Sequence, residues 1–134
     1  MPTVKHILET SLYAHDLSAM LAFYRDVLGL PVLRDIRPRG LSFQVGPGDT
    51  LLVFDPRVSG SSHEHVPSHG AEGHGHLAFE ISPDQLDPWR RHLATRAVPI
   101  EREVTWNSGI RSIYFRDPAG NSIEMMAGND WLAG

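Results

Sequence analysis

Residues 4–13 alternate loosely between apolar and polar side chains and are rich in Val, Ile, Leu and Thr, which predicts a β-strand. The period then changes. Leu17, Met20, Leu21, Tyr24 and Leu28 fall on one helical face, with Asp16 placed as N-cap, Gly29 to end the helix and Pro31 to block re-entry. Tyr24 is assigned to core packing. Residues 32–36, 41–45 and 51–54 predict three short strands, separated by the turn signals Arg39-Gly40 and Gly46-Pro47-Gly48-Asp49.

The pattern breaks over residues 56–75, a polar, glycine-rich stretch carrying His63, His65, His69 and His74, expected to be a loop or flap. The same order then returns. Residues 76–81 predict a strand, and Ser82 caps a helix opened by Pro83, with Gln85 completing a capping box. Leu86, Trp89, Leu93 and Ala97 make that helix's buried face, and residues 99–105, 110–116 and 122–126 predict three more strands. Residues 48–54 can be laid over 120–126, and Phe43 over Phe115. The chain is therefore expected to be α+β: two βαβββ modules, about 4–55 and 75–127, joined by a His/Gly-rich loop at 56–74. Neither helix can bury its apolar face alone, so the halves are expected to share a core or to pair with another chain's halves, and two short curved mixed sheets should leave a cup between them.

Composition narrows the chemistry. With 134 residues there is room for one ordinary domain, and a formal charge of −4 speaks against nucleic acid as a partner. The absence of cysteine removes disulfides, thiolate nucleophiles and cysteine metal sites together. No basic segment leads into an apolar leader, and no apolar run approaches membrane-spanning length, so a cytoplasmic protein is expected by elimination, without membrane contact.

Strand parity isolates three metal-competent side chains. Glu9 shares a face with Ser11 and Tyr13, opposite Leu8 and Leu12; His76 shares one with Ala78 and Glu80; Glu124 is flanked by Ile123 and Met125, which point away from it. Two carboxylates and an imidazole suit Mn, Zn, Ni, Co or Fe(II), leaving positions open for water and substrate. Such an ion acts as a Lewis acid on a developing oxyanion. Residue type alone leaves other readings open: a solvent-facing Glu124, a structural His76, or Glu9 paired with an arginine.

Three segments then carry a resemblance over roughly residues 4–127: ILETSLYAHDLSAMLAFYRDVLGL, GHGHLAFEI and RSIYFRDPAGNSIEMM. They resemble the vicinal-oxygen-chelate superfamily, which includes glyoxalase I, fosfomycin- and bleomycin-resistance proteins and extradiol dioxygenases. The resemblance implies one divalent metal ion held by Glu9, His76 and Glu124, with Glu9 where the family usually has histidine. Leu52 stands where glyoxalase I has a further glutamate. It also implies Glu9, Tyr114 and His69 as catalytic candidates, with His74 as a further candidate base. Ser11, Tyr13, Ser112, Tyr114, Arg116 and Trp106 become candidate substrate contacts, with Trp106 and Asn107 in a loop over the opening. A homodimer is implied, with its sites near or across the subunit interface. The expected function is Lewis-acid catalysis on a small oxygen-rich substrate: isomerase, lyase, hydrolase or transferase. Metal-free sequestration of an antibiotic-like molecule and Fe(II)-dependent ring cleavage are the alternatives.

Overall fold

A computed structural model describes residues 1–61 and 65–132; His63 lies outside the described residues. The described chain forms two compact units, Met1–Gly73 and His74–Gly134. No helix among the described residues is long and apolar enough to cross a membrane.

In the first unit, β1 (Glu9–Tyr13) leads into α1 (Leu17–Ala22), which widens into a π-type turn at Phe23–Val27. The strands β2 (Val32–Ile36), β3 (Gly40–Val45) and β4 (Asp49–Phe54) follow, and a short helix α2 (Pro56–Ser59) closes the unit's regular structure. The helical crossover brings β1 back parallel to β4, while β2, β3 and β4 pair antiparallel, in the order β1-β4-β3-β2. Asp16 caps α1 as its pattern predicts, accepting the Ala19 N–H at 3.0 Å. Gly29 takes φ +73° beyond the helical segment. Leu41, Phe43, Leu51 and Val53 form the buried face of the sheet, and Leu17, Met20, Phe23, Tyr24 and Leu28 are buried with them. The Tyr24 ring lies 5.6 Å from Phe43, which makes it the core residue its spacing suggested.

The second unit repeats this plan. It consists of β5 (His76–Ile81), a 3₁₀ turn (Pro83–Gln85), α3 (Leu86–Thr95), β6 (Arg102–Thr105), β7 (Arg111–Arg116) and β8 (Ser122–Ala127). Its order, β5-β8-β7-β6, reproduces that of the first unit, with β5 parallel to β8. Phe115 is fully buried on β7, as Phe43 is on β3. The α+β class and the internal repeat are thus as the sequence predicts.

Several boundaries differ from expectation. The first strand begins at Glu9 rather than residue 4, and Leu8 is 67% exposed instead of facing a core. The reason lies in the ladder. Glu9 already pairs with Thr50, next to the start of β4 at Asp49, so the preceding residues run past the β3–β4 turn with no backbone partner. Residues 56–59, expected as loop, are helical because Asp55 accepts the Arg57 N–H and Pro56 is preset for a first turn. Ser82 makes no capping bond with its side chain; Pro83–Gln85 winds as a 3₁₀ turn and the α-helix starts only at Leu86. Ala97 is exposed at φ 56°, beyond the helix, and is not part of its buried face. Residues 99–101 precede β6 rather than belonging to it.

Candidate active site

The second unit assembles its chemistry around Glu124. This carboxylate sits mid-strand on β8 opposite Ala78 of β5 and Tyr114 of β7, and it is only 5% exposed. A buried carboxylate is costly unless donors meet it. The buried Ser112 hydroxyl donates to Glu124 Oε2 at 2.6 Å, and the Trp106 indole N–H donates to the Ser112 oxygen at 3.0 Å. Burial, followed by the hydrogen bond and charge of Glu124, pushes the Tyr114 phenol up to about 12. Tyr114 is therefore a neutral donor at ordinary pH.

His76 reaches the same carboxylate from β5. Its Nδ1 lies 2.9 Å from the Ser122 carbonyl; since a carbonyl only accepts, Nδ1 carries the proton. That leaves Nε2 facing the carboxylate, 3.4 Å from Glu124 Oε1. Ligands held about 2.1 Å from one ion at a tetrahedral angle lie about 3.4 Å apart. Tying the other ring nitrogen to a carbonyl is also how metal-binding histidines are oriented. The pair fits a divalent cation in both donor type and spacing. The His76 and Tyr114 rings lie nearly parallel, with centroids 6.3 Å apart.

The turn before β8 explains why His76 stands where it does. Asp117 accepts the N–H groups of Ala119 and Asn121 and the side-chain amide of Asn121, each at 2.9 Å. Asn121 in turn accepts the Gly75 N–H at 2.7 Å, and Ser122 N–H donates to the Gly75 carbonyl at 2.9 Å. The Asp-Pro-Ala-Gly-Asn turn therefore sets the register of β5 against β8. Gly120, at φ +85°, leaves space that the His74 ring occupies. His74 accordingly has a packing role here.

Glu9 holds the equivalent position in the first unit, pairing with Thr50 as His76 pairs with Ser122. The counterpart of Glu124 there is Leu52, opposite Ser11. Among the described residues of either unit, no three His, Asp or Glu side chains gather as a metal cage. The structure joins His76 to Glu124 within one unit, and Glu9 is a residue of the other. Tyr13 and His69 form their own dyad in the first unit, with the hydroxyl 2.7 Å from His69 Nδ1. The His69 ring stands edge-on to Phe54 at 4.6 Å, and its backbone exchanges bonds with Ser59. Ser11 is exposed beside Tyr13 on the same strand face. Arg116 is held by Glu101 at 2.9 Å and by the Gly120 carbonyl at 2.9 Å. Asn107 is exposed in the β6–β7 turn, where Gly109 N–H bonds the Trp106 carbonyl.

A cavity of about 550 Å³ opens on this unit, lined in part by His76, Glu124, Trp106 and Met126, with Asp130 and Trp131 from the segment after β8. That terminal segment was not anticipated. Its one sequence signal is a tryptophan directly after Gly128-Asn129-Asp130, outside any periodic element.

The glyoxalase/bleomycin resistance protein/dioxygenase superfamily model matches residues 3–125. The structure is similar to a lactoylglutathione lyase from Agrobacterium tumefaciens, with 38% identity, a TM-score of 0.88 and coverage of 93% of this chain and 95% of that one. It is also similar to a glyoxalase/bleomycin resistance protein/dioxygenase from Nocardioides, with 27% identity, a TM-score of 0.75 and coverage of 97% and 87% respectively. A glyoxalase/dioxygenase from Nostoc punctiforme shares the fold at 24% identity and a TM-score of 0.68, over 91% of this chain and 90% of that one. With a repeated βαβββ plan, a His–Glu pair on its second sheet and a family match spanning nearly its whole length, the chain belongs to the glyoxalase/bleomycin resistance protein/dioxygenase superfamily.

Proposed function

We propose that this chain is a divalent-metal-dependent enzyme acting on a small oxygen-rich substrate, with His76 and Glu124 as two ligands and Glu9 as the third. The observation that carries this reading is the Nε2–Oε1 pair, set 3.4 Å apart with the opposite imidazole nitrogen already bonded. A metal bound there, of the Mn, Zn, Ni, Co or Fe(II) class, supplies Lewis acidity for a developing oxyanion. Ser112 and Trp106 hold Glu124 in one orientation. Tyr114 stays protonated and offers a hydrogen-bond donor beside the same carboxylate. Tyr13 and His69 can hold and pass a proton between hydroxyl and imidazole. Similarity to a lactoylglutathione lyase supports a proton-transfer reaction of lyase or isomerase type. Leu52 stands where the second unit has Glu124, so the first unit's sheet offers no carboxylate at that place, and His69 is the base this reading uses there.

In this reading the working unit is a homodimer in the cytoplasm. The outer edges of β1 and β5 have no strand partner within their sheets, and Val4, Ile7 and Leu8 are exposed beside β1. The test is metal analysis of chelator-free protein with thermal shifts on adding Mn, Zn, Ni, Co or Fe(II), alongside light scattering for oligomeric state. One ion per site is expected, lost in His76→Ala. No ion and no shift with any metal overturns the enzyme reading in favour of metal-free sequestration. Turnover of catechols with retained Fe(II) would instead assign ring cleavage.

A further inference from the structure

The cavity beside His76 and Glu124 has an uneven charge. Beyond the His76–Glu124 pair, Glu80 and Asp130 contribute carboxylates to its lining, and among the described residues no lysine or arginine lines it. Its apolar surface is aromatic and soft: Trp106, whose N–H is already given to Ser112, together with Met126 and Trp131. Trp131 is 87% exposed although it borders a cavity. A tryptophan left in water contributes nothing to folding there, but its face is available to a ligand group placed against it. Asp130 beside it is held by the Ser108 hydroxyl. An indole face next to carboxylates attracts planar groups that are neutral or positively charged and repels carboxylates.

We propose that this cavity receives a planar aromatic, uncharged or cationic part of the substrate, and that it selects against carboxylate-bearing partners such as glutathione conjugates. The placement of the substrate's oxygen-bearing end rests on His76 and Glu124 being metal ligands; the aromatic subsite stands on its own lining. The chemistry is therefore that of the superfamily, applied to an aryl-bearing or amine-bearing molecule rather than to a thiol tripeptide adduct.

The test uses two naphthyl probes of opposite charge on the metal-free full chain, 1-naphthylmethylammonium and 1-naphthoate, by isothermal titration calorimetry. The ammonium is expected to bind at least about tenfold more tightly than the carboxylate, within the range of about two- to thirty-fold for a cation on an indole beside negative charge. Trp131→Ala, which removes an exposed ring, should weaken the ammonium about fivefold. The double variant Glu80→Gln/Asp130→Asn should bring the two probes' affinities together. Equal or tighter binding of 1-naphthoate, or an unchanged affinity in Trp131→Ala, overturns the proposal. Acetohydroxamate titrated into Mn-loaded protein tests the ligand assignment separately. Its failure to bind overturns the metal reading and the placement of the oxygen end, while the naphthyl comparison still decides the aromatic subsite.

Discussion

Replacing Ser112 by alanine removes a single oxygen that makes two bonds at the heart of the site. Its O–H donates to the Glu124 carboxylate at 2.6 Å, and the same oxygen accepts the Trp106 indole N–H at 3.0 Å. The first bond is charge-assisted, with a net contribution of about 1.5–3 kcal/mol; the second is neutral, at about 0.5–1.5 kcal/mol. The methyl group left behind fills nearly the same space, so little cavity cost adds to these. Tyr114, cross-strand from Glu124, remains as a protonated donor beside the carboxylate, which keeps the expected loss near the lower half of the sum, about 2–3 kcal/mol. For a chain of this size that corresponds to a fall in Tm of roughly 8–12 °C. Urea and thermal unfolding in chelator should compare Ser112→Ala, Trp106→Phe and the double variant. A coupling of about 0.5–1.5 kcal/mol between the two sites is expected, because they share one bond. Metal affinity should fall about ten- to a hundredfold, the usual effect of losing a partner that orients a ligand, and Ser112→Thr should recover most of it. Stability within about 0.5 kcal/mol of wild type, together with unchanged metal uptake, would refute the relay from Trp106 through Ser112 to Glu124.

Glu124→Gln should reduce metal affinity at least about tenfold by calorimetry, since an amide oxygen is a weaker ligand than a carboxylate; unchanged retention would remove Glu124 from the ligand set. Gly120→Ala should cost about 2 kcal/mol in urea unfolding, because the residue sits at φ +85° and its Cβ would come 2.6 Å from His74 Nε2; His74→Ala in the same chain should return part of that loss. Phe115→Ala should cost about 3–5 kcal/mol, as the ring is fully buried, and a cost below about 1 kcal/mol would contradict the core assignment. Hydrogen bonds from Arg57 hold the Asp55 carboxyl below the usual carboxylate range, so this pair's stabilisation is present above about pH 4 and is lost as pH falls through the folded-state value. Urea midpoints between pH 6 and pH 3 should therefore drop more steeply in wild type than in Asp55→Asn.

The fold was legible because the information for it is local and repeated. The Leu17, Met20, Tyr24 and Leu28 spacing, the Asp16 cap and the glycine turns each act within a few residues, and the second half restates them. One error fell where a distant partner decides the outcome. Val4 to Leu8 have the composition of a strand, but the register from Glu9 onward leaves them no ladder. Ser82 and Gln85 fit a capping box, yet Pro83 winds a 3₁₀ turn there and the box never closes.

For the site, the sequence by itself determined the candidates: alternation on β1, β5 and β8 put Glu9, His76 and Glu124 on chosen strand faces, and the missing cysteines left only oxygen and nitrogen ligands. Alternation says which face a side chain takes, but not what lies over that face. Only the tertiary structure decided that Glu124 is buried while Glu9 is exposed, that His76 presents Nε2 and not Nδ1, and that Ser112 serves the carboxylate. The same holds for the acidic, aromatic cavity wall formed by residues after β8. Burial and tautomer depend on hydrogen bonds between strands tens of residues apart, and those exist only once β5, β7 and β8 have paired in one register.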